Sequence, residues 1–421
     1  MKRVESFFLS KILYRKVYDE FGDNIGKLWD IYVTTEDGMP RAIGYKIKKD
    51  GEIFNYEFKL IQFIEDDHGK MITKVKGARE IIPRAYSYLL SRHLLDKQIV
   101  DINGKKVVRV NDLRMAEIAG EYRVIAVDTG ILALARRLNM EVIAKKAYNF
   151  FHRRPGDSII MWDNVESLEM INNNLKLSVP YKKLSKLHPA DLADILEEMD
   201  TKYRSLVFES FDEGLAANIL EEIEPEIQAN ILENLSQTKR AEVLDSMPND
   251  EIADLLDEVD EETAEKILLT LEKEDADEVR ELMTYEDETA GSIMNKDFIA
   301  FNIDITVQET IEILREMKPD HEVMHYIYII DKDEKLKGAV SLTDLILSPL
   351  DGKLTDIMVN DFAKIKDSES INEAVELSIK YDLLALPVVD EEEKLCGIII
   401  ISDIIEDIFA PTWRKKFKKA G

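Results

Sequence analysis

A chain of 421 residues has room for several domains, and its 45% hydrophobic content is enough for packed cores, which excludes wholesale disorder. The one cysteine, Cys396, excludes a disulfide framework or a CxxC zinc site and fits a reducing cytoplasm. Net charge is −28, split as +7 over residues 1–183 and −35 over 184–421; this argues against nucleic acid, which needs basic stripes, and suits cations. Met1 to Ser10 has no long apolar run and reads as mature protein. No segment approaches the ~20 apolar residues of a membrane span, so a cytoplasmic protein with at most peripheral membrane contact is expected.

The first elements are short alternating strands punctuated by turn signals at Phe21-Gly22-Asp23-Asn24, Glu36-Asp37-Gly38, Lys49-Asp50-Gly51 and Asp67-His68-Gly69. Gly26-Lys27-Leu28-Trp29-Asp30-Ile31-Tyr32-Val33 follows the first of them. Leu90-Ser91-Arg92-His93 through Asn103-Gly104-Lys105-Lys106-Val107 echoes Leu9-Ser10-Lys11-Ile12 through Lys27, and the second copy runs on to Met161-Trp162-Asp163-Asn164-Val165. Two small related β-barrels are predicted, over residues 1–85 and 86–176. The pattern resembles the PRC-barrel family, whose copies carry a D-x-x-G-x-x-hydrophobic turn and a closing W-x-x-V. That resemblance implies a docking role and no chemistry.

After a basic linker around Leu177 to Lys186, which contains Pro180, a twelve-residue period begins. Leu196, Phe208, Leu220, Leu232, Leu244, Leu256 and Leu268 recur at that spacing. Each follows an aliphatic residue (Ile195, Val207, Ile219, Ile231, Val243, Leu255, Ile267). Twelve residues hold one short helix and a tight turn, so residues 184–283 are predicted to form an acidic superhelical array. Pro189 and Asp191 suit its first helical turn, where proline is tolerated and an acid faces the positive end of the helix dipole.

Strand–helix alternation follows. Tyr326 to Asp331 and Leu336 to Asp344 form a strand and a strand turning into a helix. The order repeats in Leu386-Pro387-Val388-Val389-Asp390 and Leu395 to Asp403. Each copy is introduced by a helical stretch, Val307 to Met317 and Ile371 to Tyr381. These tandem units resemble a CBS pair, with copies over 293–348 and 354–410, and a basic tail over 411–421. The fold class is therefore multidomain α+β: two small β-barrels, an all-α superhelical array and a tandem CBS module.

His188-Pro189-Ala190-Asp191-Leu192, the repeats, Tyr285 to Met294 and Tyr381 to Asp390 together resemble the cytosolic half of MgtE-type magnesium transporters, over about residues 184–408. In that family this half senses magnesium and gates a membrane channel. The membrane domain is missing here, so the resemblance implies a Mg²⁺ sensor acting in trans on a separate membrane transporter and dimerising through its CBS domains. Mg²⁺ takes oxygen ligands, keeps several waters and needs only one or two carboxylates per site. A negative array facing a negative CBS pair repels until divalent ions screen or bridge the gap.

By resemblance the metal ligands are Asp250 and Asp254 in the array and Asp382, Asp403 and Glu406 on the CBS side. Asn218, Ser370 and Asn372 depart from the family's acidic positions. For any one of these carboxylates, a merely solvated face is the competing reading.

The CBS resemblance also implies an adenine-nucleotide site. Asp344, with Ser341, would meet a ribose, Tyr326 would pack on the base, and Asp403 is the second copy's counterpart of Asp344. Ile400 replaces the hydroxyl the second copy needs, Thr343 supplies no cation for phosphates, and Asp403 is claimed by both readings. The plain alternative is that these Asp residues cap the helix that follows.

His321-Glu322-Val323-Met324-His325 is a literal H-E-x-x-H, but it runs straight into a strand, so no zinc-protease helix is predicted. The tail, Trp413 to Lys419, is basic with two aromatics and could touch anionic lipid or end as a frayed terminus. No nucleophile elbow, phosphate-binding glycine loop or His/Cys constellation points to catalysis, and an enzyme is not expected. Mg²⁺-responsive regulation competes with two readings: an adenine-nucleotide-sensing CBS regulator and a non-sensing scaffold.

Overall fold

The computed structural model describes residues 2–35, 38–67, 69–82, 87–150, 158–168, 183–257, 259–402 and 404–405. The chain divides into two compact units, Met1–Glu224 and Pro225–Gly421.

The first unit opens with eight strands: β1 (Lys2–Arg3), β2 (Ser6–Phe8), β3 (Lys16–Tyr18), β4 (Asn24–Thr34), β5 (Arg41–Lys49), β6 (Glu52–Glu57), β7 (Ile61–Glu65) and β8 (Met71–Val75). The second repeat supplies β9 (Tyr88–Leu89), helix α1 (Leu90–His93), β10 (Gln98–Asp101), β11 (Lys106–Arg109), β12 (Asp112–Ile118) and β13 (Glu121–Asp128). A helical hairpin, α2 (Ile131–Arg137) and α3 (Glu141–Phe150), precedes β14 (Ile159–Met161) and β15 (Val165–Ser167).

The two segments expected to be barrels share one sheet of twelve strands, with only β10, β11 and β15 forming a separate sheet. One core, running from Phe7 to Val165, serves both. The reason is a reciprocal exchange of first strands. β2 of the first repeat pairs with β12 of the second (Phe7 opposite Met115), and β9 of the second pairs with β4 of the first (Tyr88 opposite Val33).

Each exchange is latched by a buried carboxylate. Asp112 accepts hydrogen bonds from the Ser10 amide (3.1 Å), the Ser10 hydroxyl (2.5 Å) and the Leu113 amide (2.9 Å). Asp30 accepts the same three from the Ser91 amide (2.9 Å), the Ser91 hydroxyl (2.9 Å) and the Ile31 amide (2.8 Å).

The helical repeats form where the period predicts them. The first unit holds α4 (Pro189–Glu198), α5 (Thr201–Phe208) and α6 (Glu213–Glu221). The second holds α7 (Pro225–Asn234), α8 (Gln237–Leu244), α9 (Asn249–Asp257), α10 (Glu261–Leu268) and α11 (Lys273–Leu282). All seven periodic residues from Leu196 to Leu268, and the aliphatic residue before each, are buried. The structural unit, however, is two helices long: α4 packs against α6, and α9 against both α7 and α11. Capping follows the same doubled period. The side chains of His188, Asp212, Ser236 and Asp260, spaced 24 apart, accept the backbone N–H groups that open α4, α6, α8 and α10, while Asp200 and Glu272 at intervening turns make no such bond. At one of those turns Arg204 instead donates to the carbonyls of Leu196 (2.9 Å) and Met199 (3.1 Å), closing the end of α4.

The rest of the second unit is two copies of one pattern. In the first, β16 (Ala300–Asn302), α12 (Val307–Met317), β17 (Tyr326–Ile330), β18 (Leu336–Ser341), α13 (Leu342–Leu347), α14 (Leu354–Ile357) and β19 (Val359–Asn360) follow in order. In the second, β20 (Ile365–Lys366), α15 (Ile371–Tyr381), β21 (Ala385–Val389) and β22 (Leu395–Ile400) repeat it. β16 and β20 run parallel to β17 and β21, which pair antiparallel with β18 and β22 and carry the same irregularity, at Ile329/Ile330 and Val388/Val389.

The aspartate that follows each of β17 and β21 holds the next turn. Asp331 accepts from the Asp333 and Lys335 amides, and Asp390 from those of Glu392 and Lys394. Glycine recurs in β18 and β22 because neighbours crowd it: a Cβ on Gly397 would stand 2.7 Å from Met294 Sδ, and one on Gly338 would meet the Val359 carbonyl.

Candidate functional site

The three residues expected to face a nucleotide come together. Tyr326 in β17 lies directly opposite Ser341 in β18, and Ser341 is the residue that opens α13. The Ser341 hydroxyl accepts from the Asp344 amide (3.0 Å) and donates to Asp344 Oδ2 (2.7 Å). Serine and aspartate are thus engaged in a helix cap, and a ribose would have to compete with that bond. The Tyr326 ring meets Phe362 edge-on at 5.1 Å. In the second copy Ala385 and Ile400 hold the equivalent strand positions and offer neither ring nor hydroxyl. Asp403 lies outside the described residues.

The metal candidates are more scattered. Asp250 sits in the first turn of α9, half-buried, with Asp254 exposed one turn later. Asp382 closes α15 in the left-handed region at φ +53°, its amide bonded to the Ser378 carbonyl. Asp403 and Glu406 lie outside the described residues. Among the described residues one group of three acidic or histidine side chains brings its ligating atoms within 4.8 Å of one another: Asp320, His321 and Glu322. Asp250, Asp254 and Asp382 do not form such a group.

That trio belongs to the H-E-x-x-H segment. Val323–His325 is a single 3-10 turn and Tyr326 already starts β17, so the two histidines do not share a helical face. His321 is exposed, with Nδ1 2.7 Å from Asp320.

Acidic charge converges elsewhere, between the last array helix and the CBS entry. α11 carries Glu274, Asp275, Asp277, Glu278 and Glu281. The Asp297 carboxyl, which follows it in the chain, is exposed but crowded by neighbouring atoms; it is pushed above the ordinary aspartate value, first by that desolvation and then by the charges of Glu278, Asp275 and Asp320. Lys296 pairs with Glu281 of α11 at 2.7 Å. Asn249 donates to Glu278 Oε2 at 2.9 Å, tying the start of α9, where Asp250 lies, to the same helix. Spacing along the chain did not point to Asp275, Glu278, Asp297 and Asp320 as a group; the one available signal was the density of acids in the last repeat.

These elements correspond to known domains. The chain contains a PRC-barrel domain (residues 4–79), an MgtE intracellular N domain (187–288) and two CBS domains (290–351 and 354–410). The magnesium transporter MgtE of Thermus thermophilus is 35% identical over 128 residues, 30% of this chain and 28% of the relative. That of Enterococcus faecalis is 33% identical over 31% of this chain and 29% of its own length. The chain therefore spans less than a third of these curated relatives.

Among solved structures, the cytosolic domain of the Mg²⁺ channel MgtE in complex with ATP aligns with a TM-score of 0.51 and 32% identity, covering 53% of this chain and 91% of that one. The soluble part of a magnesium transporter aligns with a TM-score of 0.52 and 28% identity, covering 55% and 91%. Among the described residues no helix is long and apolar enough to cross a membrane.

Proposed function

We propose that this protein is a Mg²⁺-responsive regulator, related to magnesium transport, that acts on a separate membrane transporter. The observation that carries the reading is the confrontation of α11 with Asp297 and Asp320 in a chain that joins an MgtE intracellular N domain to a CBS pair. A carboxyl such as Asp297, desolvated and faced by other acids, gains from a hard cation that takes oxygen ligands and keeps part of its water shell. A cation that prefers the closed form stabilises it by RT ln(1 + [L]/Kd), about 2.7 kcal/mol at a hundredfold excess over Kd. Asp250 and Asp254 add charge to the array, and Asp382, Asp403 and Glu406 remain the proposed ligands on the CBS side.

The reading is regulatory rather than catalytic, in the cytoplasm. A CBS-mediated homodimer accompanies it, supported by exposed apolar side chains on and beside the CBS helices: Ile346, Leu347, Ile379, Tyr381 and Leu384.

Thermal melting and small-angle scattering across a Mg²⁺ titration, with matched monovalent salt, test the proposal. Compaction and a raised melting temperature at millimolar Mg²⁺, beyond the salt control, are expected. No difference from that control would sink it. An adenine nucleotide is the second reading, favoured by the adjacency of Tyr326, Ser341 and Asp344 and by the ATP held in the related MgtE domain. It requires that ATP raise the melting temperature without Mg²⁺.

A further inference from the structure

Helices in globular domains normally turn their large apolar residues inward. α2 does the reverse. Ile131, Leu134 and Leu138 lie on one helical face and are exposed, Ile131 by 67%, while the buried positions are the small Ala133 and Ala135.

The inward side is fastened by charge. Arg136 reaches Asp112 (2.8 Å) and Asp128 (3.4 Å), and its guanidinium lies over the Phe8 ring at 3.6 Å. Arg137 forks onto Asp96 with bonds of 2.6 and 2.7 Å. Asn139, in the left-handed region at φ +57°, turns the chain into α3 and accepts a hydrogen bond from Arg15. Beyond the turn Met140, Val142 and Ile143 are again exposed, the last two by 69% and 62%. Six large apolar side chains therefore stand outward on a hairpin that the barrel holds rigidly.

The surroundings of this stripe are basic and aromatic. Between Ile131 and Lys146 four basic residues face one acid. Lys145 and Lys146 are exposed on α3, and Lys11 is exposed within electrostatic reach of Glu141 at its start. Tyr14, whose phenol lies within electrostatic reach of Arg137, meets Trp29 edge-on at 5.2 Å, and Lys48 lies 4.5 Å over the Trp29 ring.

From this juxtaposition we infer that the α2–α3 hairpin docks on an anionic membrane surface. The aliphatic stripe enters the boundary of the acyl chains, Lys145 and Lys146 meet lipid phosphates, and Tyr14 and Trp29 suit the interface, where aromatic side chains with a polar edge collect. Net positive charge around an apolar stripe complements an acidic bilayer. The positive balance of residues 1–183, against the strongly negative remainder, orients this end of the chain toward it.

Flotation of the full chain with phosphatidylcholine vesicles, with and without phosphatidylglycerol, provides the test. The chain is expected to float with the anionic vesicles and about tenfold more weakly with the neutral ones. A variant carrying I131S, L134S and L138S, and a second carrying K145E and K146E with the stripe intact, should each lose binding by about tenfold while keeping the parent's melting temperature, since all five positions are exposed. Failure of the parent to bind, or equal binding by both variants, overturns the inference. Self-association of the parent that the triple variant abolishes, without vesicle binding, also overturns it and assigns the face to a second copy. Mg²⁺-dependent melting is read without vesicles, so this inference and the ion reading can fail separately.

Discussion

Asp30 and Asp112 make the same three hydrogen bonds in the two latches, yet their surroundings differ. Asp112 also faces the Arg136 guanidinium, whereas burial pushes the Asp30 carboxyl above its usual value, and the Ser91 and Ile31 amides, the Ser91 hydroxyl and Lys46 offset this only in part. A carboxyl whose folded value is raised contributes most to stability below its unfolded value, and that contribution is lost as pH rises through the raised folded one. Asp30→Asn keeps acceptors for the two amides and removes a buried charge. Its melting temperature should equal or exceed the parent's at pH 7, with the gap closing toward acid. Asp112→Asn removes the shortest ion pair of Arg136, leaving Asp128 at 3.4 Å and Glu141 at 3.8 Å, and should cost about 3 kcal/mol, seen as a lower melting temperature. Equal effects of the two substitutions would mean the latches are electrostatically alike. None of this asymmetry was legible in sequence: turn spacing did not mark Asp112, and Arg136 comes to it from a helical hairpin within the second repeat.

Among the elements, the helical array was the most legible part of the chain, because seven of its eight helices bury the same two consecutive residues, and only α11, with Arg280 exposed, departs. The doubled period was hidden, since His188, Asp212, Ser236 and Asp260 share a role across three residue types, and Asp200, at an intervening turn, repeats one of them without the role. It yields a contrast. Asp212→Ala and Asp260→Ala should each cost about 1 kcal/mol in chemical denaturation, while Asp200→Ala, whose side chain makes no cap bond, should cost far less. A uniform loss across the three would place the repeat back at twelve residues. The nucleotide candidates were legible for a similarly local reason: Tyr326, Ser341 and Asp344 are joined by one strand pairing and one helical turn. The acidic junction was not, because only the fold places residues 275 and 278 beside 297 and 320. Two small barrels were expected over residues 1–85 and 86–176; the strands are present, but the exchange that joins both segments in one sheet leaves no trace in turn spacing.

For the molecule as a whole, charge is the organising quantity. Removing one member of the junction should mimic part of what a cation does there. Asp297→Asn should raise the melting temperature in Mg²⁺-free buffer, by about 1–2 °C given that its surroundings are partly solvent-screened, and should shrink the increment that Mg²⁺ produces. An unchanged increment would move the ion's site away from α11. The thiol of Cys396 is pushed up to about 12 chiefly by burial, which keeps it un-ionised at neutral pH.

The crossed first strands carry a last implication, for the assembly of the fold. A polypeptide ending after β8 would keep β2 without the strand it pairs with and β4 without β9, together with an Asp30 that has lost its serine. Two such polypeptides could restore one another's pairing by trading strands about a two-fold axis. The barrel region of this protein has, in that sense, the connectivity of a swapped dimer within one chain, so its pairing does not depend on concentration.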